Sequence, residues 1–267
     1  AVLREQIEIR RRLGDPLRLG AALNNLADLL SDVGEFGTAE PCLTEAVELF
    51  REAGISPSMP LSTLGAGYRH DGRHEEATQA LREALREAKQ ADNAYSIAIS
   101  MAGLGQCLAE TGQHDEARGQ LVEARERYEE LSTVPGQIDV DLFLGVVDRA
   151  EGHTVAAARH LLAALNAPGE NWIAEGDCYI MQVAASVIDD AITAATLVGA
   201  ASAAYERSST EQPAFIVTDP RNVTESLRAR LGADEFGRHT RTGGRRTYEE
   251  AVAIAREFLA ARVAQGE

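Results

Sequence analysis

Lysine is nearly missing from this sequence: Lys89 stands alone, although arginine is abundant. The excess of arginine and alanine over lysine points to a GC-rich bacterial genome. Aromatic residues are scarce as well, at 5% with a single tryptophan. A β-sandwich draws on aromatic and β-branched residues. Here Ala and Leu supply most of a 45% apolar content, which favours close-packed helices. The three cysteines, Cys42, Cys107 and Cys178, lie far apart with no CxxC spacing, which argues against a disulfide framework and a cysteine zinc site. Their expected state is a reduced thiol, half-buried on a helix. No run of about 18 apolar residues occurs, so no membrane-spanning helix is expected. No signal-peptide pattern opens the chain, and the cytoplasm is the expected compartment.

Signatures of chemistry are missing too. There is no GxxxxGK[ST] phosphate loop, no GxSxG and no glycosidase-like carboxylate pair. We therefore assign no catalytic, cofactor-binding or metal-binding residue, and expect the chain to be non-catalytic in itself. His70 and His74 are four apart, a spacing that helical metal ligands use, but Gly72 between them marks a turn. Phe36, His74 and His114 hold equivalent positions, where a ring is expected to pack under a turn; His153 falls one position earlier and His160 lies on the following helix. The formal net charge of -16 repels phosphate backbones, so no direct nucleic-acid contact is expected. The basic stretches Arg10 to Arg12 and Arg238 to Arg246 are short, and helix ends or loops account for them.

What the sequence does contain is a repeat. Four segments align without gaps, at residues 25–46, 63–84, 103–124 and 143–164, advancing by 38, 40 and 40 residues. Each begins with Leu26-Ala27, Leu64-Gly65, Leu104-Gly105 or Leu144-Gly145. Then come Gly34, Gly72, Gly112 and Gly152, followed by Ala39, Ala77, Ala117 and Ala157. Leu43, Leu81, Leu121 and Leu161 follow, and Ala46, Ala84, Ala124 and Ala164 complete the pattern. The pattern describes a helical hairpin. A glycine ends the first helix in the left-handed conformation, acidic residues such as Glu75, Glu76, Asp115 and Glu116 face the positive start of the second, and small residues mark close helix crossings.

These positions resemble the tetratricopeptide repeat, with the early Trp absent and Asp148 where repeats usually carry Tyr. The resemblance implies an all-α fold: a right-handed α-solenoid of helical hairpins with a C-terminal helical cap. It also implies a concave groove lined by the first helices. Positions two before, two after and five after each Leu are then expected to face that groove. These are Asn24, Asp28 and Ser31; Ser62, Ala66 and Arg69; Ala102, Gln106 and Ala109; and Leu142, Val146 and Arg149. The expected occupant is a protein or peptide partner, or a small-molecule inducer. The groove should be polar and mixed in charge at one end and more apolar at the other. Chaperone-clamping repeats use Lys and Asn at these positions; Asp28 and the lack of lysine disfavour that role.

The expected organisation has residues 1–16 as the second helix of a truncated repeat and 17–168 as four repeats. Residues 169–209 form a degenerate fifth hairpin and 210–267 the cap. Leu3 lies 40 residues before Leu43, so the chain is expected to continue upstream in a longer protein. In the tail, "EQPAFIVTDP" with Pro213 and Pro220 breaks the array, and two helices are expected at about 220–236 and 247–263. Gly243-Gly244-Arg245-Arg246 could cradle an anion at a helix start. Thr247 and Glu250 instead fit a capping box, the favoured reading.

The C-terminal third resembles the end of large actinobacterial regulators that join a STAND ATPase module and a LuxR-type or SARP-type DNA-binding domain to a tetratricopeptide region. Gly199-Ala200-Ala201, Leu231-Gly232, Phe236, Gly244-Arg245 and Tyr248 to Val252 carry the match. Gly237 to Arg241 and the extra glycine depart from the Ala-rich, Trp-containing helix of that family. The resemblance implies a sensor arm that binds an inducer or partner, with self-association through the full-length protein. A plain tetratricopeptide adaptor is the alternative.

Overall fold

A computed structural model describes residues 2–32, 34–167, 174–208 and 220–266. Among them are fourteen helices and no strand. The described residues up to Leu131 form one compact unit and those from Ser132 a second.

In unit 1, α1 (Val2–Leu13) precedes three hairpins: α2 (Pro16–Asp32) with α3 (Phe36–Glu52), α4 (Ser58–His70) with α5 (His74–Gln90), and α6 (Ala94–Glu110) with α7 (His114–Glu130). The turn glycines behave as their spacing predicts. Gly34, Gly72 and Gly112 hold φ of 77°, 75° and 77°, in the left-handed region where a Cβ would be strained. Around Gly72, Arg73 N–H donates to the Tyr68 carbonyl at 2.8 Å and Gly72 N–H to the Arg69 carbonyl at 3.0 Å. That paired return is a Schellman stop, and it satisfies carbonyls the helix end leaves open. The second helices end the same way at positions the repeat pattern did not flag: Gly54 (φ 68°), Asp92 (φ 50°) and, at the start of unit 2, Ser132 (φ 55°).

The repeated small residues set the spacing inside each hairpin. Ala39, Ala77 and Ala117 are fully buried, as are Leu43 and Leu121. A Cβ on Gly65 would lie 2.4 Å from Leu81 Cγ, and one on Gly105 2.7 Å from Leu121 Cγ. The Leu of each second helix therefore seats directly on the first helix's backbone. Phe36 packs as expected, its ring lying over Gly67 and meeting Tyr68 edge-on at 5.4 Å. The Tyr68 hydroxyl donates to Glu40 at 2.9 Å, and Arg73 donates to the same carboxylate while stacking on the Tyr68 ring. Cys42 is half-buried as expected, whereas Cys107 is fully buried, and neither is in a disulfide. The Cys178 side chain lies outside the described residues, as do Trp172 and Pro213.

In unit 2, α8 (Val134–Ala150) and α9 (Thr154–Asn166) form the fourth hairpin around Gly152, whose φ is 82°. α10 (Ala174–Val187) and α11 (Ala191–Ser208) follow as a fifth. The tail differs from the expected two helices. There are three: α12 (Pro220–Leu231), α13 (Ala233–Gly244) and α14 (Tyr248–Ala264). Gly232, at φ 81°, splits what the sequence reads as one segment, and Gly243 and Gly244 close α13, with Arg245 and Arg246 in the turn that follows.

Its glycines explain why. A Cβ on Gly243 would lie 1.9 Å from the Thr196 carbonyl oxygen, and one on Gly199 2.0 Å from that of Thr240. α11 and α13 thus cross backbone against backbone. α14 packs along α9 and contacts α10 and α11. Arg256 donates to the Leu165 carbonyl at the end of α9, while Arg262 reaches Asp189 at 2.7 Å and Thr154 Oγ1 at 2.8 Å.

Candidate functional site

On the first-helix face of unit 1, α4 packs beside α2 and α6. Of the residues that spacing assigns to this face, Asn24, Ser31, Ala66 and Gln106 are half-buried and Asp28 is exposed. Ser62, Arg69, Ala102 and Ala109 are instead buried. The reason is lateral packing of first helix on first helix. Ser62 Oγ lies 2.9 Å from Ser100 Oγ on α6, which in turn donates to the Ser96 carbonyl at 2.7 Å.

Arg69 is the largest departure. It is 5% exposed, and its guanidinium is held by Glu110 at the end of α6 and by His70 Nε2 at 2.8 Å. Burial pushes the His70 ring down to about 3, with the neighbouring Arg69 charge adding to the effect. The ring is therefore neutral at pH 7 and accepts from Arg69. Burial raises the Glu110 carboxyl above its ordinary range, and Arg69 opposes that rise. His74 Nδ1 stands 3.5 Å from the second Glu110 oxygen. His70 and His74 do fall on separate helices, as Gly72 between them predicts, and His74 stands beside a carboxylate. Among the described residues that spacing assigns to this face of unit 1, Arg69 is the cation, and Glu110 and His70 hold it internally. The Asp28 carboxylate stays accessible. Asp28 makes no ion pair among the described residues, and Asn24 Oδ1 is buried without a donor. Burial alone raises the Asp28 carboxyl.

The remaining expected positions belong to unit 2. Leu142 and Val146 are each 3% exposed, so they supply packing and not an open apolar patch, and Arg149 is half-buried. The same helix shows what spacing missed. His160 reaches back from α9 to place Nδ1 3.1 Å from Asp141 and Nε2 3.7 Å from Asp148. His153 Nδ1 lies 3.4 Å from Glu151 and 4.0 Å from Asp148. Asp148, Glu151 and His153 thus bring three potential metal-ligand atoms within 4.8 Å of one another. The one available signal was Asp148 itself, an acid at the repeat position that Tyr68 fills in α4.

The tail resolves as a cap. Glu250 N–H donates to Thr247 Oγ1 at 3.2 Å and Thr247 N–H to Glu250 Oε2 at 3.0 Å, a complete capping box. Glu249 and Glu250 place negative charge where a bound phosphate would sit. The glycines serve the α11 crossing.

The tetratricopeptide repeat family matches residues 19–53 and 58–130, so these segments are tetratricopeptide repeats. Such repeats are generally non-catalytic scaffolds for protein interaction. Among solved structures, BtubC (BKLC) from P. vanneervenii is similar at 22% identity and a TM-score of 0.58, over 87% of this chain and 90% of that one. A Rap protein complexed with Competence and Sporulation Factor is similar at 16% identity and a TM-score of 0.53, over 93% of this chain and 67% of that one. Both likenesses are of fold: an all-helical solenoid of hairpins. No curated protein matches the chain. Among the described residues, no helix is long and apolar enough to cross a membrane.

Proposed function

We propose that this chain is the sensor and interaction arm of a signal-responsive bacterial transcriptional regulator, cytoplasmic and non-catalytic in itself. Binding of a protein, a peptide or a small inducer on its first-helix faces would control assembly of the regulator. The observation that carries the interaction part is the first-helix face of unit 1, where tetratricopeptide hairpins present Asn24, Asp28, Ser31, Ala66 and Gln106 with solvent access. The capture of Competence and Sporulation Factor by a Rap protein of similar fold supports a ligand-responsive role. The regulator part rests on the C-terminal resemblance, from Gly199-Ala200-Ala201 to the α14 start.

The sequence encoded directly upstream of Ala1 in the parent gene tests it. A P-loop ATPase module and a DNA-binding domain there support the regulator. Repeats running back to a start codon refute it and leave the adaptor, a tetratricopeptide scaffold unrelated to transcription, which the matched repeats favour by themselves.

A further inference from the structure

We propose that the turn between α8 and α9 binds one divalent transition-metal ion of the zinc type, through the Asp148 and Glu151 carboxylates and His153 Nδ1. The site lies within a single hairpin of unit 2, and it stands whether the chain is a regulator's arm or an adaptor.

The four hairpins share one register, so each residue of the fourth has three counterparts. Asp141 stands where the others carry Leu23, Leu61 and Met101, and Asp148 where they carry Leu30, Tyr68 and Leu108. All of these counterparts but Tyr68 are buried, and both aspartates are buried with them. Two carboxylates in places that a sibling hairpin fills with apolar core are costly unless other groups answer them. The fourth hairpin supplies histidines to do so. His153 replaces Glu35, Arg73 and Gln113 of the others, and His160 replaces Cys42, Ala80 and Gln120. The four exchanges meet in space.

The backbone prepares the turn. Gly152 reverses the chain at φ 82°, and His153 N–H donates to the Asp148 carbonyl at 2.8 Å, which returns His153 to the end of α8. His153 Nδ1 then lies 3.4 Å from Glu151 Oε2 and 4.0 Å from Asp148 Oδ1, with all three ligand atoms within 4.8 Å of one another. Ligands bound tetrahedrally to zinc at about 2.0–2.2 Å stand about 3.3–3.6 Å apart, so small side-chain rotations bring the set onto one ion. A helix carboxyl end also favours positive charge. On the far side of Asp148, His160 Nε2 lies 3.7 Å from Oδ2, and its Nδ1 lies 3.1 Å from Asp141 Oδ1. Outer partners of this kind orient a ligating carboxylate, which makes His160 and Asp141 positioning residues. Asp148 forms the floor, and the exposed His153 gives an ion access from solvent. An imidazole nitrogen with two carboxylates suits zinc or cobalt(II) better than magnesium or calcium, which take oxygen ligands.

Binding is read on the whole chain, without an affinity tag and dialysed against a chelator. Zinc is titrated by calorimetry and cobalt(II) by visible absorption, with magnesium as the comparison ion and circular dichroism as the folding control. One equivalent of zinc should bind, cobalt(II) should give visible bands, and excess zinc should raise the melting temperature. His153→Ala should weaken zinc binding at least tenfold and leave the fold intact. Asp148→Leu, which returns the residue type of Leu30 and Leu108, should keep the fold and abolish binding. His160→Gln should weaken zinc about tenfold and shift the cobalt bands, as loss of an orienting partner does. His239→Ala removes a histidine that stands 3.2 Å from Glu235 on α13, and should leave binding unchanged.

A folded chain that takes up neither zinc nor cobalt(II) would overturn the proposal. So would binding that survives His153→Ala, or that falls equally in His239→Ala, since the ion would then sit on scattered surface histidines. Magnesium binding as tight as zinc, and indifferent to His153→Ala, would show carboxylates acting alone and overturn the histidine ligation. Should Asp148→Leu fail to fold, the exposed His153→Ala decides by itself.

Discussion

Two adjacent glycines in the tail should respond to the same substitution with opposite signs. At Gly243 an added Cβ would lie 1.9 Å from the Thr196 carbonyl oxygen and 3.0 Å from the Ala200 nitrogen, both backbone atoms of α11. Backbone cannot rotate aside as a side chain does, so α11 and α13 would have to separate by about 1.6 Å to restore ordinary contact. Alanine recovers about 1 kcal/mol of helix propensity over glycine, while overpacking of this kind costs about 1–3 kcal/mol and sometimes more. We expect Gly243→Ala to lose about 2 kcal/mol net, a fall of about 4–8 °C in the melting temperature of a chain this size. At Gly244 the nearest atoms are Ala203 Cβ at 3.5 Å and the Gly199 oxygen at 3.6 Å, ordinary contacts. Gly244→Ala should therefore keep most of the propensity gain and raise the melting temperature by about 2–4 °C. Thermal melts followed by far-ultraviolet circular dichroism separate the two. If Gly243→Ala melts at or above wild type, the close crossing is not what the glycine is for, and the phosphate-loop reading would regain ground.

Arg69→Met strands Glu110 in the interior and should cost about 3–5 kcal/mol in denaturant unfolding. Combined with Glu110→Gln it should cost clearly less than the sum of the two single changes; strict additivity would show that the pair is not coupled. The His70 ring, pushed down to about 3, binds fewer protons folded than unfolded between that value and its ordinary 6.5, so it withdraws stability as pH falls through this window. His70→Gln should flatten that acid limb in melts taken from pH 7 downwards, and an unchanged slope would refute the assignment. Asp92 holds φ 50° at the end of α5, where glycine pays no steric cost. Asp92→Gly should stabilise by a few tenths to about 1 kcal/mol once the greater freedom of unfolded glycine is subtracted; destabilisation in urea melts would contradict the strain.

Much of this protein is written in local pattern. The recurrence of Leu-Gly, turn glycine, Ala, Leu and Ala determines the hairpins, because each position has a one-residue cause: a left-handed stop at Gly72, Gly112 and Gly152, or a small residue under Leu81, Leu121 or Leu161. The Thr247 capping box is local in the same sense, spanning four residues. The tail shows the limit, since a Gly-Gly pair beside arginines reads alike whether it cradles a phosphate or meets another helix. Only the arrival of α11 at Gly243 decides it.

Charge on the first-helix face was decided in the same way. The sequence by itself determined which residues stand two before, two after and five after each repeat Leu, and so placed Arg69 and Asp28 on one side of their helices. Tertiary packing then separated their fates. Arg69 is drawn inward because Glu110, some forty residues on, ends α6 beside it, and a buried carboxylate is costly without a cation. His160 likewise finds Asp141 and Asp148 across a hairpin. Such pairings join residues of different helices, and one-dimensional spacing does not carry the sideways distance between them. Among the described residues Asp28 meets no cation of its own chain, so its negative charge stays unmatched there.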